Sequence, residues 1–448
     1  MAAAAVLLLW ARHDSGSLWL DELLSAMHAG SPDLPALTRA ILGDVHPPLH
    51  PLLLFGFGRL FGLDGETGRL GNVLAVAVHL AIATLLVARQ WRALAFAGAF
   101  LMPQLWWYLF ELRPYLFAML GTYWLAAWWV AGEGWLVADP RRRAAAAVLI
   151  SLLASTHYFG IASGWTVLAL LCLRDRTRFH AIWFALFALA TAAWTLWHLR
   201  TIGALLGGAF STSPFGWSHV AYWLHLASGG VHRPAFLIAA LVAAWVVAGR
   251  VRPVAAIAVE LAPGLVSLAG LCLISLHTPM AGGRNLLVLT PFFVVPALAR
   301  LALSPRALAL APAIALLVLG LLNIKDYAYT EGRAARRLED QDWRAAAALA
   351  GQLATRLELG RVVVCPYVPA IYAHYFRAAA RLVLCEGGNR LTEAGLRDAT
   401  LLWTSDDRVV SIDADARVVL ARDWLALDLV GHRIHVRRSA LPPPTGRM

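Results

Sequence analysis

Lysine is all but absent from this chain. Lys325 is the only one in 448 residues, so the basic balance of 38 Lys plus Arg against 27 Asp plus Glu rests on arginine. In a soluble protein that balance would point to nucleic acid. Here the arginines fall in short clusters between apolar runs, the pattern of membrane topology signals, and nucleic acid is not an expected partner. Cysteine is scarce too. Four thiols cannot staple so long a chain, and Cys172 and Cys272 sit inside apolar runs as small hydrophobes. Cys365 and Cys385 lie in a more polar region, where one bridge is possible only in an oxidising compartment. No Walker-type Gly-Lys-Ser/Thr, no Rossmann glycine pattern and no strong zinc spacing is present, so nucleotide chemistry is unsupported. A signal peptide with a basic start and a small-residue cleavage site is also missing, and Met1 to Trp10 is too short to span a bilayer alone. No internal repeat is visible.

What the chain has in abundance is apolar length. With 60% hydrophobic residues and a mean hydropathy of +0.64 it is too apolar for a soluble globule. The expected fold class is a polytopic α-helical membrane protein with about eleven crossings, an estimate from runs near spanning length. The crossings are expected at the N-terminus, 71–88, 93–107, 114–131, 144–155, 161–173, 179–199, 235–248, 254–275, 285–299 and 307–322. Residues from about 12 to 70 form a first outer loop, and 200–233 another. Within the first loop, 49–61 reads as an interfacial helix started by Pro47-Pro48. The densest arginine clusters then fall on the inner side, as the positive-inside rule requires. From Lys325 the composition turns polar. Helical spacing over 340–357 and around 370–379, with strands at 361–365, 381–385, 400–403 and 433–436, predicts a small α/β domain outside the membrane. The expected domains are therefore 1–323 and 324–448, the second ending in a Pro-rich tail at 442–444.

Asp21, Glu22, Asp44, His46, Glu111, Arg113, His157 and Arg284 all gather on the outer side in that topology. Asp21 and Glu22 follow the apolar start, where a carboxylate suits general-base chemistry at a membrane surface; the alternative is that they only favour the first turn of a surface helix. Glu111-Leu112-Arg113-Pro114-Tyr115 sets an acid and an arginine beside a helix-starting proline. Gly282-Gly283-Arg284-Asn285 leads an arginine into an apolar helix. Each reads equally well as a helix cap or a snorkelling side chain. Together they offer a carboxylate and two guanidinium forks at the depth of a lipid phosphate. His46 orients a base, joins a carboxylate on a divalent metal, or hydrogen-bonds in its loop, and His157 poses the same choice. Glu260, two turns into a span, reads as a satisfied buried polar residue.

On Ser17-Leu18-Trp19-Leu20-Asp21-Glu22, His46-Pro47-Pro48-Leu49, Glu111-Leu112-Arg113-Pro114-Tyr115, His157-Tyr158 and Arg284, in that order, the chain resembles the membrane C-type glycosyltransferases that use polyprenyl-phosphate sugars. The bacterial relatives of protein O-mannosyltransferases and of the lipid A aminoarabinose transferase are the nearest in pattern. The resemblance implies an inverting transferase at the outer face of the cytoplasmic membrane, with a polyprenyl-phosphate sugar as donor and a lipid, glycan or protein as acceptor. It implies Asp21 as catalytic base with Glu22 beside it, and Arg113, Arg284 and Tyr115 at the donor phosphate. Glu111, His46, His157 and Tyr158 are supporting, and Glu111 with His46 is the expected place for a divalent cation. Arg284-Asn285 departs from the Arg-Tyr of many relatives. A transporter of lipid-linked saccharide and an inactive structural relative are the alternatives; charges crowding one face, without repeat symmetry, favour the enzyme.

Overall fold

The computed structural model describes residues 20–209 with short gaps, 216–221, 246, 254–277 and 283–303. In the C-terminal part it describes 347–349, 351–352, 355, 361–365, 382–384, 390–391, 396, 399–405, 411–412, 414–429 and 432–440. The expected crossings at the N-terminus and at 307–322, nearly all of that at 235–248, the helix at 370–379, Cys385 and the tail at 442–444 lie outside the described residues. The chain divides into two compact units, one of residues 1–13 and 28–328, the other of 14–27 and 329–448.

The first unit is helical among its described residues: α2 (Leu34–Leu42), α3 (Leu49–Phe61), α4 (Asn72–Leu85), α5 (Arg92–Ala99), α6 (Tyr115–Val130), α7 (Pro140–Ala154), α8 (Tyr158–Asp175), α9 (Arg178–Ala209), α10 (Val254–His277), α11 (Gly283–Leu286) and α12 (Pro291–Leu303). A preceding helix, α1 (Leu20–Ala29), carries Asp21 and Glu22 in its first turn and His28 in its last. Local chemistry sets many of the boundaries. Asp33 accepts from the Ala36 amide at 2.7 Å to start α2, and Asp139 accepts from Arg141 ahead of Pro140 to start α7. Gly62, at φ +66°, ends α3 where only a glycine adopts the left-handed turn without strain.

Among the described residues, three helices are long and apolar enough to cross a membrane: Gly68–Leu85, Arg178–His198 and Ala256–Ser275. Within the expected crossing at 93–107 the described residues include the helix Arg92–Ala99 and helical positions again at Leu105. The expected 285–299 helix is broken into α11, a 3-10 turn over Leu287–Leu289 and α12, because Pro291 cannot donate to the ladder. The outer loop expected from Arg200 begins later, since α9 continues to Ala209.

Helix α6 is the core. Every residue from Tyr115 to Val130 is buried, and α4, α7, α8, α10 and α12 pack around it. Buried polar atoms in such a helix need partners. Thr122 Oγ1 reaches the Val288 carbonyl at 2.7 Å, Tyr123 donates to Ala95 O at 2.8 Å, and Trp124 Nε1 donates to His79 Nδ1 at 2.9 Å. Trp129 Nε1 donates at 2.8 Å to the carbonyl of Val259, four residues before Pro263. That carbonyl is the one a proline leaves without its helical partner, so the indole repairs the break inside α10. At its carboxyl end α6 is met by Arg174, which donates to Trp129 O at 2.7 Å and lies 4.4 Å over the Trp129 ring.

In the second unit a five-stranded sheet has the order β2-β1-β4-β7-β6, with β1 Arg361–Cys365, β2 Leu382–Leu384, β4 Ala399–Ser405, β6 Trp424–Leu429 and β7 His432–Arg437. β1 is parallel to both its neighbours, which fits its unbroken Val362-Val363-Val364 run, whereas β7 pairs antiparallel with β4 and β6. Helix α13 (Ala414–Asp423) leads into β6, and a short parallel pair joins β3 (Arg390–Leu391) to β5 (Ser411–Ile412).

Where α6, α7 and α8 meet, backbone replaces side chain. A methyl at Gly121 would sit 2.6 Å from the Ala154 amide nitrogen, and one at Gly160 would collide with the Ala154 carbonyl oxygen. Glycine to alanine within a helix ordinarily gains about 1 kcal/mol. Gly121→Ala should reverse that sign and lose about 1–3 kcal/mol, the usual range for overpacking. The check is the thermal unfolding temperature of the purified protein in detergent; an increase would contradict the close crossing.

Candidate functional site

The site grows from the segment between α4 and α6. Asn72, fully buried at the start of α4, turns its amide nitrogen to three carbonyls of that segment: Tyr108 O at 3.1 Å, Leu109 O at 2.9 Å and Glu111 O at 2.8 Å. An amide carries only two protons, so the three bonds are shared. The clamp holds the Glu111-Leu112-Arg113 bend against the helix that follows. Glu111 is half-buried, and Arg113 is buried with 5% of its surface exposed.

Opposite Arg113 stands the loop that joins α2 to α3. Arg113 Nη2 lies 3.1 Å from His46 Nε2, and His46 Nδ1 lies 2.9 Å from Asp44 Oδ1. The other carboxylate oxygen of Asp44 is 3.5 Å from His28 Nδ1. His157, the N-cap of α8, accepts from the Phe159 amide at 3.2 Å. Its ring lies 5.7 Å from that of His46 and 5.0 Å from that of Tyr115. Tyr115 opens α6 with Arg113 5.9 Å from its ring centre, and its hydroxyl donates to Asn285 Oδ1 at 3.0 Å. His50, at the start of α3, is buried beside Phe117.

Of the residues expected from the sequence, Arg113, Tyr115, His46 and His157 are therefore brought together. Tyr158 turns elsewhere, its hydroxyl meeting His198 Nδ1 on α9. Arg284 lies in α11 beside Asn285, and its side chain is outside the described residues. Asp21 and Glu22 belong to the second unit; Glu22 is buried, and the Asp21 side chain is outside the described residues. The expected metal pair does not fit. Both ring nitrogens of His46 are engaged, by Asp44 and Arg113, and among the described residues no group of three or more His, Cys, Asp or Glu is gathered for a metal.

Sequence reasoning gave no role to Asp44, His28, His50, Asn72 or Asn285. The run Asp44-Val45-His46 did hold a signal, since an Asp two residues from a His allows a side-chain bond within one loop. Nothing local marks Asn72 or Asn285, whose partners are 36 to 39 and 170 residues away.

Burial dominates the electrostatics. Desolvation lowers the basicity of His28, with Asp44 opposing it. It pushes His50 and His157 well below the ordinary histidine value of 6.5, helped by the neighbouring His46 and Arg113. Burial alone would raise the Asp44 carboxyl, but the hydrogen bond from His46, with the pull of its two histidine neighbours and of the Arg113 guanidinium, carries it far below the usual carboxylate range. As pH falls, the unfolded chain takes up protons before the folded histidines do. Stability is thus complete above about 6.5 and declines below it, by up to about 1.4 kcal/mol per pH unit for each histidine. The Asp44 contribution persists until pH drops below its unfolded value of 3.8. Unfolding temperatures from pH 8 to 5 should therefore fall below 6.5, with a shallower slope in His50→Gln; a flat profile would contradict buried neutral histidines.

No protein-family model matches the chain, and no curated protein matches its sequence. Solved structures do match in fold. ArnT from Cupriavidus metallidurans in the apo state superposes with a TM-score of 0.55 at 15% identity, over 99% of this chain and 98% of that one. ArnT from the same organism bound to undecaprenyl phosphate gives 0.58 at 14% identity, again over 99% and 98%. Over almost its entire length, the chain has the fold of ArnT, the lipid A aminoarabinose transferase with a C-type glycosyltransferase fold.

Proposed function

We propose that the chain is an inverting glycosyltransferase that moves a sugar from a polyprenyl-phosphate carrier to an acceptor at the outer face of the cytoplasmic membrane. The observation that carries this reading is a buried arginine, Arg113, oriented by His46 at the positive end of α6, in a chain with the fold of a protein solved with undecaprenyl phosphate bound. The amides of a helix N-terminus and a guanidinium fork both favour a phosphate.

In this mechanism Asp21 takes the proton from the acceptor hydroxyl as its oxygen attacks the anomeric carbon. The bond from that carbon to the phosphate oxygen breaks, and its electron pair leaves on polyprenyl phosphate. Arg113 and Arg284 stabilise the growing negative charge, with Tyr115 at the same phosphate. One displacement without a covalent intermediate inverts the anomeric centre. Residues 1–323 form the membrane-embedded catalytic part with about eleven crossings, and 324–448 lie outside the membrane on the same face as the site. A reporter fused after Leu322 should then behave as external; a cytoplasmic signal would put the site on the wrong face.

The direct test is sugar transfer by purified protein from undecaprenyl-phosphate donors carrying a pentose, a hexose or an amino sugar. Turnover in detergent, where no compartment exists, distinguishes an enzyme from a transporter. Asp21→Asn should lower turnover by about 10² to 10⁴, the span of general-base loss, while undecaprenyl phosphate binding survives; near-normal transfer would place the base elsewhere. Arg113→Lys should weaken donor use as well, because a point charge does not replace a fork.

A further inference from the structure

Arg113 has five N–H groups and no lone pair, so the nitrogen facing its Nη2 at 3.1 Å must be an acceptor. His46 Nε2 is therefore unprotonated, and the proton of the neutral ring is on Nδ1. What stands against Nδ1 at 2.9 Å is Asp44 Oδ1, and a carboxylate can only accept. The two contacts demand the same tautomer from opposite sides of one ring. Both side chains are nine-tenths buried, His46 at 10% and Asp44 at 9% exposed, so water is poorly placed to substitute for either contact. His28 lies against the second oxygen of the carboxylate.

We propose that Asp44 is a positioning residue for Arg113: by holding the proton on His46 Nδ1 it keeps Nε2 as the acceptor that aims the guanidinium. The inference rests on the reading of Arg113 as a phosphate contact, and Asp44 itself touches no phosphate. An amide in place of the carboxylate can donate as well as accept, which frees the ring to carry its proton on Nε2. That nitrogen would then meet Arg113 donor against donor, and the fork would turn away.

The probe is undecaprenyl phosphate, titrated against the purified full chain. Asp44→Asn should weaken its binding roughly tenfold, the scale of one oriented charge-assisted hydrogen bond, and Asp44→Glu should recover most of the loss. Asp44→Asn added to Arg113→Ala should cost nothing further, since the two act as one unit. In a His46→Gln background, whose amide oxygen can accept from Arg113 without help, Asp44→Asn should also be silent; this arm holds even where the single Asn variant folds poorly. Wild-type binding by Asp44→Asn, or losses that add to those of Arg113→Ala, would overturn the positioning role while leaving the phosphate reading in place. Wild-type binding by Arg113→Ala would overturn both.

Discussion

The rest of the first unit depends on a helix with no outward face. Because all sixteen residues of α6 are buried, each polar atom along it has to be met by a neighbouring element, and those meetings tie the bundle together. Trp124 binds α4 through His79, and Tyr123 binds α5 through Ala95. Trp129 binds α10 at the carbonyl released by Pro263. A lipid-facing helix needs none of this, since its apolar side chains are already well solvated.

That rigidity reaches the site through two residues at its start. Tyr115 is the first residue of α6 and Arg113 lies two before it, so neither can drift without moving the core. The Asn72 amide fixes the preceding segment from the α4 side. The loop bearing Asp44 and His46 is bounded by Gly43 at the end of α2 and by Pro47-Pro48 at the start of α3, leaving few soft torsions between two helices. A guanidinium held from both sides in this manner is preorganised, which is what electrostatic stabilisation of a leaving phosphate would need.

Much of this was legible in the order of the residues. The helix over 49–61, the helices α6 to α10 and the strands at 361–365, 400–403 and 433–436 follow apolar runs, prolines and β-branched stretches. Those are local signals. The break at Pro291 was equally local and was outweighed by the apolar character around it. Arg113, Tyr115, His46 and His157 could be named because each lies beside a proline or a helix start. Asn72 and Asn285 could not, because an asparagine that holds a backbone segment from another helix has no signature except its distant partner. Asp44 stood in view without a role, since only the folded loop shows its carboxylate against the ring two residues on.

Helix polarity sets Arg113 apart from several other arginines among the described residues. At the carboxyl end of a helix the exposed backbone groups are carbonyls, which a guanidinium can bond directly. Arg142 accordingly reaches Leu85 O at the end of α4, Arg174 reaches Trp129 O at the end of α6, and Arg92 bonds Val87 O just past α4. The clusters that read as topology signals therefore also close helix ends. At the amino end the exposed groups are N–H, which repel the same side chain. Arg113 sits at that end of α6, so its fork has to be oriented by acceptors from other elements, and His46 supplies one. At the positive pole of a buried helix the guanidinium stands against the field of the helix, and the His46 contact together with the nearby Asp44 carboxylate offsets that cost.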